Sequence, residues 1–534
     1  MEKTAISLPR VSSPEKAGVS GKVINEFMDA IESTGIEIHS FMVIRYGKVA
    51  AECFRAPFTP NRPHTMYSIS KTVTATAIGI AIDENLLSLD DKVRDFFPEI
   101  TEKIKDERLN RLLVRHLLTM TSGKDPSVFA DKTKGSWAEY FFKAPWYNEP
   151  GEEFKYINEN IYILSAIIKK VSGQCVRDFL KPRLFDVLGI DYPFWETDSE
   201  GIEAGGWGLY LKTEDLAKIM LVYSNKGLFG DTRIFSEKWA EFAPLKHADN
   251  SEEFDSDAKV GYGCCLWRCA PFNGYRADGM FSQFGIVFQD YDAVLAVTSA
   301  VAEAQVCRDL LWKFFPRAFE EFDKGNISPE EGLYDRLKSA VLEQADRMTD
   351  SYLEEIIEGK TIHFRKKILL NIVGFPMSML PLAVVYMTTD RAGNIDNVIF
   401  RFKKTDCTLT WDEGDENNTI PVGLDGRYRY GTMTLGGIEY KVCSTGLWVE
   451  GDRLVLQVRP IETIGKRTLD FKFKANGKVL MRPSSTPSVY SIAMNLAPGF
   501  KKMIGGGKFA DGIVSLFRFA PNIIEPTHKG KIKS

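Results

Sequence analysis

The stretch Thr72 to Leu87 limits the chain's fold more than any other. It is rich enough in Ala75, Ala77, Ile78, Ile80, Ala81 and Ile82 that a helix here must lie at a domain core, because so much apolar surface cannot face water. A chain of 534 residues exceeds one ordinary core and fits two or three domains. The residues opening this helix are Ser68-Ile69-Ser70-Lys71. Positions i and i+3 of a helix share a face, with Cβ atoms about 5–6 Å apart, so Lys71 can reach Ser68 Oγ and take its proton. The first turn also offers unpaired N–H groups and the positive end of the helix dipole, which favour an oxyanion and a neutral lysine. A central helix holds its own N-terminus rigidly.

Ser-x-x-Lys is a weak pattern alone, and it recurs at Ser13 with Lys16 and at Ser256 with Lys259. Ser13 precedes Pro14 and reads as a helix cap, while Ser256 lies in a polar run without an apolar face. A second component is Tyr156-Ile157-Asn158, just before the apolar helix Ile161 to Val171. A phenol there can relay protons beside the lysine, and the Asn158 amide can orient the amine or hold a substrate carbonyl. Residues i and i+2 of an extended segment point the same way, so both suit one pocket. The rival Tyr223-Ser224-Asn225 reads as structural, since Tyr223 continues the stripe Leu216, Ile219 and Met220 of a helix opened by Thr213-Glu214-Asp215 and stopped at Gly227.

Two early strands make a hairpin turning at Gly47, late strands flank Asp290-Tyr291-Asp292, and helices lie between. This order predicts a sheet whose first and last strands pair, with a helical lobe inserted. After Pro316 the composition shifts. Leu333, Leu337, Val341, Leu342 and Ala345 read as one buried stripe of a connector, and from Thr361 to Pro483 strand signals alternate with turns such as Asn476-Gly477. The expected domains are 1–325 for the catalytic α/β (α+β) part, 326–360 for the connector, 361–490 for an antiparallel barrel-like domain, and 491–534 for a basic tail containing Gly505-Gly506-Gly507.

With 68 basic and 72 acidic residues the net charge is −4, which gives no field for nucleic acid or an anionic membrane. The 8 cysteines lack zinc-type spacing, and the six histidines form no H-x-H or H-E-x-x-H set, so neither a metal nor a cofactor is expected. The N-terminus shows no signal-peptide core, and a cytoplasmic protein with reduced thiols follows as the expectation. Ile368 to Met387 is long enough to span a bilayer, but Asn371, Gly374, Pro376 and Pro381 interrupt it and favour two buried strands joined by a turn. His116 reads as a helix-start residue, His64 as part of the loop leading to Ser68, and Cys264-Cys265 as core thiols on a strand.

Residues from about 10 to 320 resemble the serine β-lactamase and penicillin-binding-protein-like hydrolases, in the class C-related branch with esterases, D-aminopeptidases and 6-aminohexanoate-oligomer hydrolases. The resemblance lies in Tyr67 to Thr72, Leu87 to Val93, Val114 to Gly123, Pro150-Gly151 with Phe154 to Asn158, and Gly208-Leu209-Tyr210 with Asp215-Leu216-Ala217, in that order. It implies a β-lactamase-like antiparallel sheet flanked by helices, a Ser68 nucleophile, a Lys71 base, a proton-relaying Tyr156 with Asn158 beside it, and hydrolysis of an acyl-enzyme. The oxyanion would sit between the Ser68 N–H and an N–H of a late strand. Where the family usually carries Lys-Thr-Gly, the best match is Ala277-Asp278-Gly279-Met280-Phe281-Ser282-Gln283. Gly279 permits close backbone approach and Met280 N–H can complete the oxyanion hole. Without a cation to hold a substrate carboxylate, a small-molecule ester or amide is favoured over a β-lactam or D-Ala peptide. A penicillin-binding-like sensor that is acylated without release is the rival from another class. The segment 361–483 also resembles lipocalin-like accessory domains, and the oligomeric state is left open.

Overall fold

The computed structural model describes residues 6–126, 136–253, 256–325, 329–342, 351–365, 395–413, 416–435, 438–488, 490, 491, 494 and 525–533. Ile368 to Met387 and Gly505 to Gly507 lie outside them. The chain divides into two compact units, Met1–Arg55 with Pro63–Ala340, and Ala56–Arg62 with Val341–Ser534.

The first unit is built on six antiparallel strands: β1 (Ile38–Arg45), β2 (Lys48–Phe54), β3 (Trp267–Arg268), β4 (Gly274–Gly279), β5 (Gln283–Phe288) and β6 (Ala293–Ser299), in the order β2-β1-β6-β5-β4-β3. The early hairpin turns through Tyr46 and Gly47, both left-handed at φ 51° and 69°, the conformation that suits a tight turn between twisted strands. The first and last long strands pair as expected, Ile38 with Ser299 and Arg45 with Ala293. The main helices of the unit are α1 (Gly21–Thr34), α2 (Ile69–Asp83), α3 (Glu159–Ser172), α4 (Thr213–Ser224) and α5 (Ala304–Phe314). Ser20 caps α1 by accepting the Val23 N–H, and Gly35 ends it in the left-handed region. Phe27 of α1 and Phe314 of α5 meet Phe41, Phe284 and Leu295 in the core on one sheet face. On the other face α4 lies directly on β5, where a Cβ at Gly285 would come within 2.6 Å of Met220 Cγ.

Every residue of α2 from Ile69 to Ala81 is buried, as its composition predicts. Its polar residues are satisfied from within: Thr72 Oγ1 donates to the Cys265 carbonyl at 2.8 Å, Thr74 Oγ1 to the Gly205 carbonyl at 2.9 Å, and Thr76 Oγ1 to Thr72 O at 2.8 Å. Hydroxyls that find carbonyls remove the cost of burying them.

The second unit contains β7 (Thr361–Phe364), β8 (Ile395–Phe402), β9 (Asp406–Glu413), β10 (Glu416–Gly423), β11 (Arg429–Leu435), β12 (Ile438–Val449), β13 (Arg453–Pro460), β14 (Lys466–Phe473), β15 (Lys478–Thr486) and β16 (His528–Ile532). They run β10-β9-β8-β7-β16-β15-β14-β13-β12-β11, and a parallel contact of Gly423 with Thr445 closes nine of them into a barrel, leaving β11 paired on β12. Leu454, Leu456, Val458, Leu469, Phe471 and Phe473 fill its interior at alternate positions, the period of a strand with one wet face.

Three local expectations need correction. The connector stripe breaks after the helix Leu333–Ser339: Leu333 and Leu337 are buried, but Ala340 is extended and Val341 is 41% exposed, so Val341 begins a new path. Residues 528–532, read as part of a tail, form β16 between β7 and β15. Cys264 and Cys265 are buried in a bend, with Cys265 at φ 59°, and not on a strand. Among the described residues no helix is long and apolar enough to cross a membrane.

Candidate active site

Ser68 stands at the N-terminus of α2, partly exposed, after a left-handed Tyr67 at φ 48°. A non-glycine residue held there is strained and persists only where its surroundings fix it. The restraint comes from Ser70, whose hydroxyl donates to Tyr67 O at 2.6 Å and accepts the Leu209 N–H at 3.3 Å. The second serine of Ser-Ile-Ser-Lys is thereby committed to the backbone.

Lys71 is 1% exposed. Its Nζ lies 2.9 Å from Ser68 Oγ, 2.8 Å from Asn158 Oδ1 and 2.7 Å from the Gly206 carbonyl, and 4.8 Å from the centroid of the Tyr156 ring. The amide oxygen and the carbonyl can only accept. A neutral amine has two hydrogens for them, and its lone pair is then left facing Ser68 Oγ, the one partner with a proton to give. Burial moves the amine the same way, lowering it from 10.5 to about 7. Tyr156 is hydrogen-bonded to Ser68, and burial holds its phenol well above the usual value. Its ring packs against Trp267 at 5.6 Å and edge-on to Tyr262 at 6.2 Å. Asn158 occupies the N-cap position of α3, so the start of one buried helix supports the start of another.

Gly279 ends β4 and pairs with Gln283. A Cβ at Gly279 would meet the Met66 carbonyl at 2.5 Å, which places the strand end against the segment leading into Ser68. Met280 opens the turn to β5 and is 38% exposed, while Ala277 is fully buried. Among the described residues neither the Ser68 nor the Met280 backbone N–H has a hydrogen-bond partner. Free backbone donors of this kind can hold a developing oxyanion.

Gly206 was missed from sequence, because a backbone carbonyl has no letter; only the doublet Gly205-Gly206 marks it. A Cβ at Gly206 would lie 3.2 Å from Asn158 O and 3.5 Å from Lys71 Nζ, and Thr74 fixes the preceding carbonyl. The other candidates are structural. His64 forms a short strand with Thr65, its ring nitrogens meeting Thr65 O at 3.0 Å and His39 at 2.9 Å. His116 Nδ1 accepts the Leu113 N–H at 3.2 Å at a helix start, and Tyr223 OH meets Thr76 Oγ1 at 2.9 Å. Among the described residues no group of three or more His, Cys, Asp or Glu stands close enough to hold a metal ion.

The family model described as Beta-lactamase matches residues 22–312, more than half of the chain and all of the residues just placed. The chain belongs to the beta-lactamase family. Similar members include a 6-aminohexanoate-dimer hydrolase of Paenarthrobacter ureafaciens, 24% identical over 249 residues that cover 43% of this chain and 64% of that protein. A lovastatin esterase of Penicillium rubens is 25% identical over 163 residues, covering 26% and 41%. The chain thus spans less than two thirds of the length of these relatives. A solved structure from Bacillus anthracis, named for 6-aminohexanoate-dimer hydrolase, superposes at a TM-score of 0.50 with 15% identity over 60% of this chain and 89% of that one, a likeness of fold. This beta-lactamase family member carries its barrel outside the matched segment.

Proposed function

We propose that this protein is a serine hydrolase that opens an ester or amide through an acyl-enzyme on Ser68, with Lys71 as general base. The observation that carries the reading is the set of partners around Lys71 Nζ, which leaves a lone pair for the Ser68 proton and no other use for it. Ser68 Oγ attacks the carbonyl carbon as its proton passes to Lys71, and the displaced electron pair rests on the carbonyl oxygen between the Ser68 and Met280 N–H groups. Collapse expels the leaving group, which takes a proton from the Tyr156 hydroxyl; the phenolate is then reprotonated by the proton that Lys71 took from Ser68. A phenol held well above its ordinary value stays protonated near neutrality, which suits a donor and leaves the base role to the lysine. Water then repeats the attack on the acyl-enzyme.

The substrate is a small molecule uncharged beside its scissile carbonyl. Ala277 stands where a family cation would meet a carboxylate, and Lys71 is occupied by its three partners. The names of the similar hydrolase and esterase accord with this chemistry. A cytoplasmic location belongs to the same proposal, supported by eight cysteines that are all free thiols.

Labelling with a fluorophosphonate, followed by mass spectrometry, tests the nucleophile: Ser68→Ala is expected to abolish the adduct with the fold retained, and an undiminished adduct refutes the assignment. A panel of short-chain esters, D-amino amides and a chromogenic cephalosporin is expected to show turnover of neutral esters or amides first. A stable adduct without turnover on any of them would favour the sensor reading.

A further inference from the structure

The turn between β4 and β5 has an unusual local chemistry. Phe281 and Ser282 are consecutive non-glycine residues in the left-handed region, at φ 61° and 66°, a conformation that must be held from outside. The hold comes from Gln283, which is fully buried. Its Nε2 donates to Met280 O at 3.2 Å, Phe281 O at 3.0 Å and Ser299 O at 2.7 Å, while its Oε1 accepts the Ser299 N–H at 3.1 Å. The four partners fix which end of the carboxamide is which. Ser299 Oγ adds bonds to Phe281 O at 2.7 Å and Ser282 O at 2.9 Å. All three carbonyls of Met280-Phe281-Ser282 are therefore tied to the protein interior by these two side chains, with Val301 adding its N–H to Phe281 O at 3.2 Å and accepting from Ser282 Oγ at 3.1 Å. The same turn touches the segment leading into the nucleophile, through Phe281 against the Tyr67 ring at 5.3 Å and Gly279 against Met66 O, and its Met280 N–H is unpartnered among the described residues.

We propose that Gln283 is the positioning residue of the oxyanion turn: its buried carboxamide holds Met280-Phe281-Ser282 so that the Met280 N–H is presented toward Ser68. The inference rests on the hydrolase reading. Gln283 touches no reacting atom. It turns the Met280 and Phe281 carbonyls inward while Ser299 Oγ holds Ser282 O; the Met280 N–H lies in the Gly279–Met280 peptide, which is set on one side by the pairing of Gly279 with Gln283 and on the other by the held Met280 carbonyl. Preorganised donors stabilise a transition state more than a ground state, so loss of the clamp should appear in turnover and not in substrate binding.

Gln283→Met keeps length and burial but removes all four polar contacts. In a variant that stays folded, by circular dichroism and a cooperative melt, kcat on the best ester is expected to fall between about 10- and 100-fold while KM stays within about threefold. Affinity for a matched trifluoromethyl ketone, which forms an oxyanion on the serine, should fall by the same factor as kcat. Ser299→Ala, which deletes only the hydroxyl bonds to Phe281 O and Ser282 O, covers the case in which Gln283→Met does not fold; it is expected to lower kcat and ketone affinity together by a few-fold. The proposal is overturned if whichever of these variants folds retains kcat and ketone affinity within about twofold of the parent. It is equally overturned if the loss lies in KM with the ratio of ketone to substrate affinity unchanged. Should the parent enzyme form no Ser68 adduct and hydrolyse no ester, the hydrolase reading itself falls and this inference with it; an active parent with an indifferent variant removes the inference alone.

Discussion

At the scale of single residues, the active amine is governed by what surrounds it. With the Lys71 amine brought down to about 7 by burial, the protonated form dominates below that pH and cannot act as base. The expected kcat/KM profile therefore rises about tenfold per pH unit up to about 7 and levels off above. Lys71→Met should abolish that limb and slow acylation by at least about 10³-fold, read by stopped-flow with an activated ester. A second buried group, the Glu196 carboxyl, is also raised to about 7 by burial, so a control is needed. Glu196→Gln is expected to leave the limb in place, and its disappearance would assign the titration to the carboxyl. Ser68 and Lys71 were legible in the letters because helix periodicity makes neighbours of i and i+3; Tyr156 and Asn158 were read from their i, i+2 spacing before an apolar helix and from the family resemblance, since nothing local joins them to Ser68. The third acceptor, Gly206 O, was not, since any residue has a carbonyl and only the fold decides where it points.

Among the elements, α2 is where propensity and packing disagree. Replacing a mid-helix glycine by alanine ordinarily gains about 1 kcal/mol, but a Cβ at Gly79 would lie 2.4 Å from the Trp239 ring. Overpacking of this kind costs about 1–3 kcal/mol, and Gly79→Ala is expected to lower the urea midpoint of the first unit, a higher midpoint showing that the ring yields. Thr74→Val should leave the buried Gly205 carbonyl unpaired at a cost of about 1–3 kcal/mol. Because Gly206 is the next residue, acylation should slow as well; unaltered acylation in the folded variant would separate the loop from the amine. The pairing of the sheet's first and last long strands was readable because both carry unmistakable apolar runs. The connector was not, because an apolar stripe reports burial without saying on which body. Leu333 and Leu337 satisfy it in the first unit, and the helix then ends at Ser339.

For the molecule as a whole, the barrel depends on a strand far along the chain. Arg467 and Glu525 pair at 2.9 Å, 2% and 7% exposed. Glu525→Gln removes one charge of a buried ion pair and is expected to lower the chemical-denaturation midpoint of the barrel; a midpoint unchanged from the parent would show that the pair contributes little. The barrel was foreseen from its dense strand signals, but β16 was read as tail, because five residues rich in lysine and glycine carry no strand signature and acquire one only from the edges they fill. Its Ile532 pairs with Ile362 of β7 and its Gly530 with Val479 of β15. A seam sealed by partners so distant in sequence forms late and slowly. Until it does, two unpaired strand edges remain available to other copies. Yield in a heterologous host should therefore be governed less by equilibrium stability than by a race between this last pairing and aggregation, a race that cooler growth and chaperone supply would tilt toward the native state.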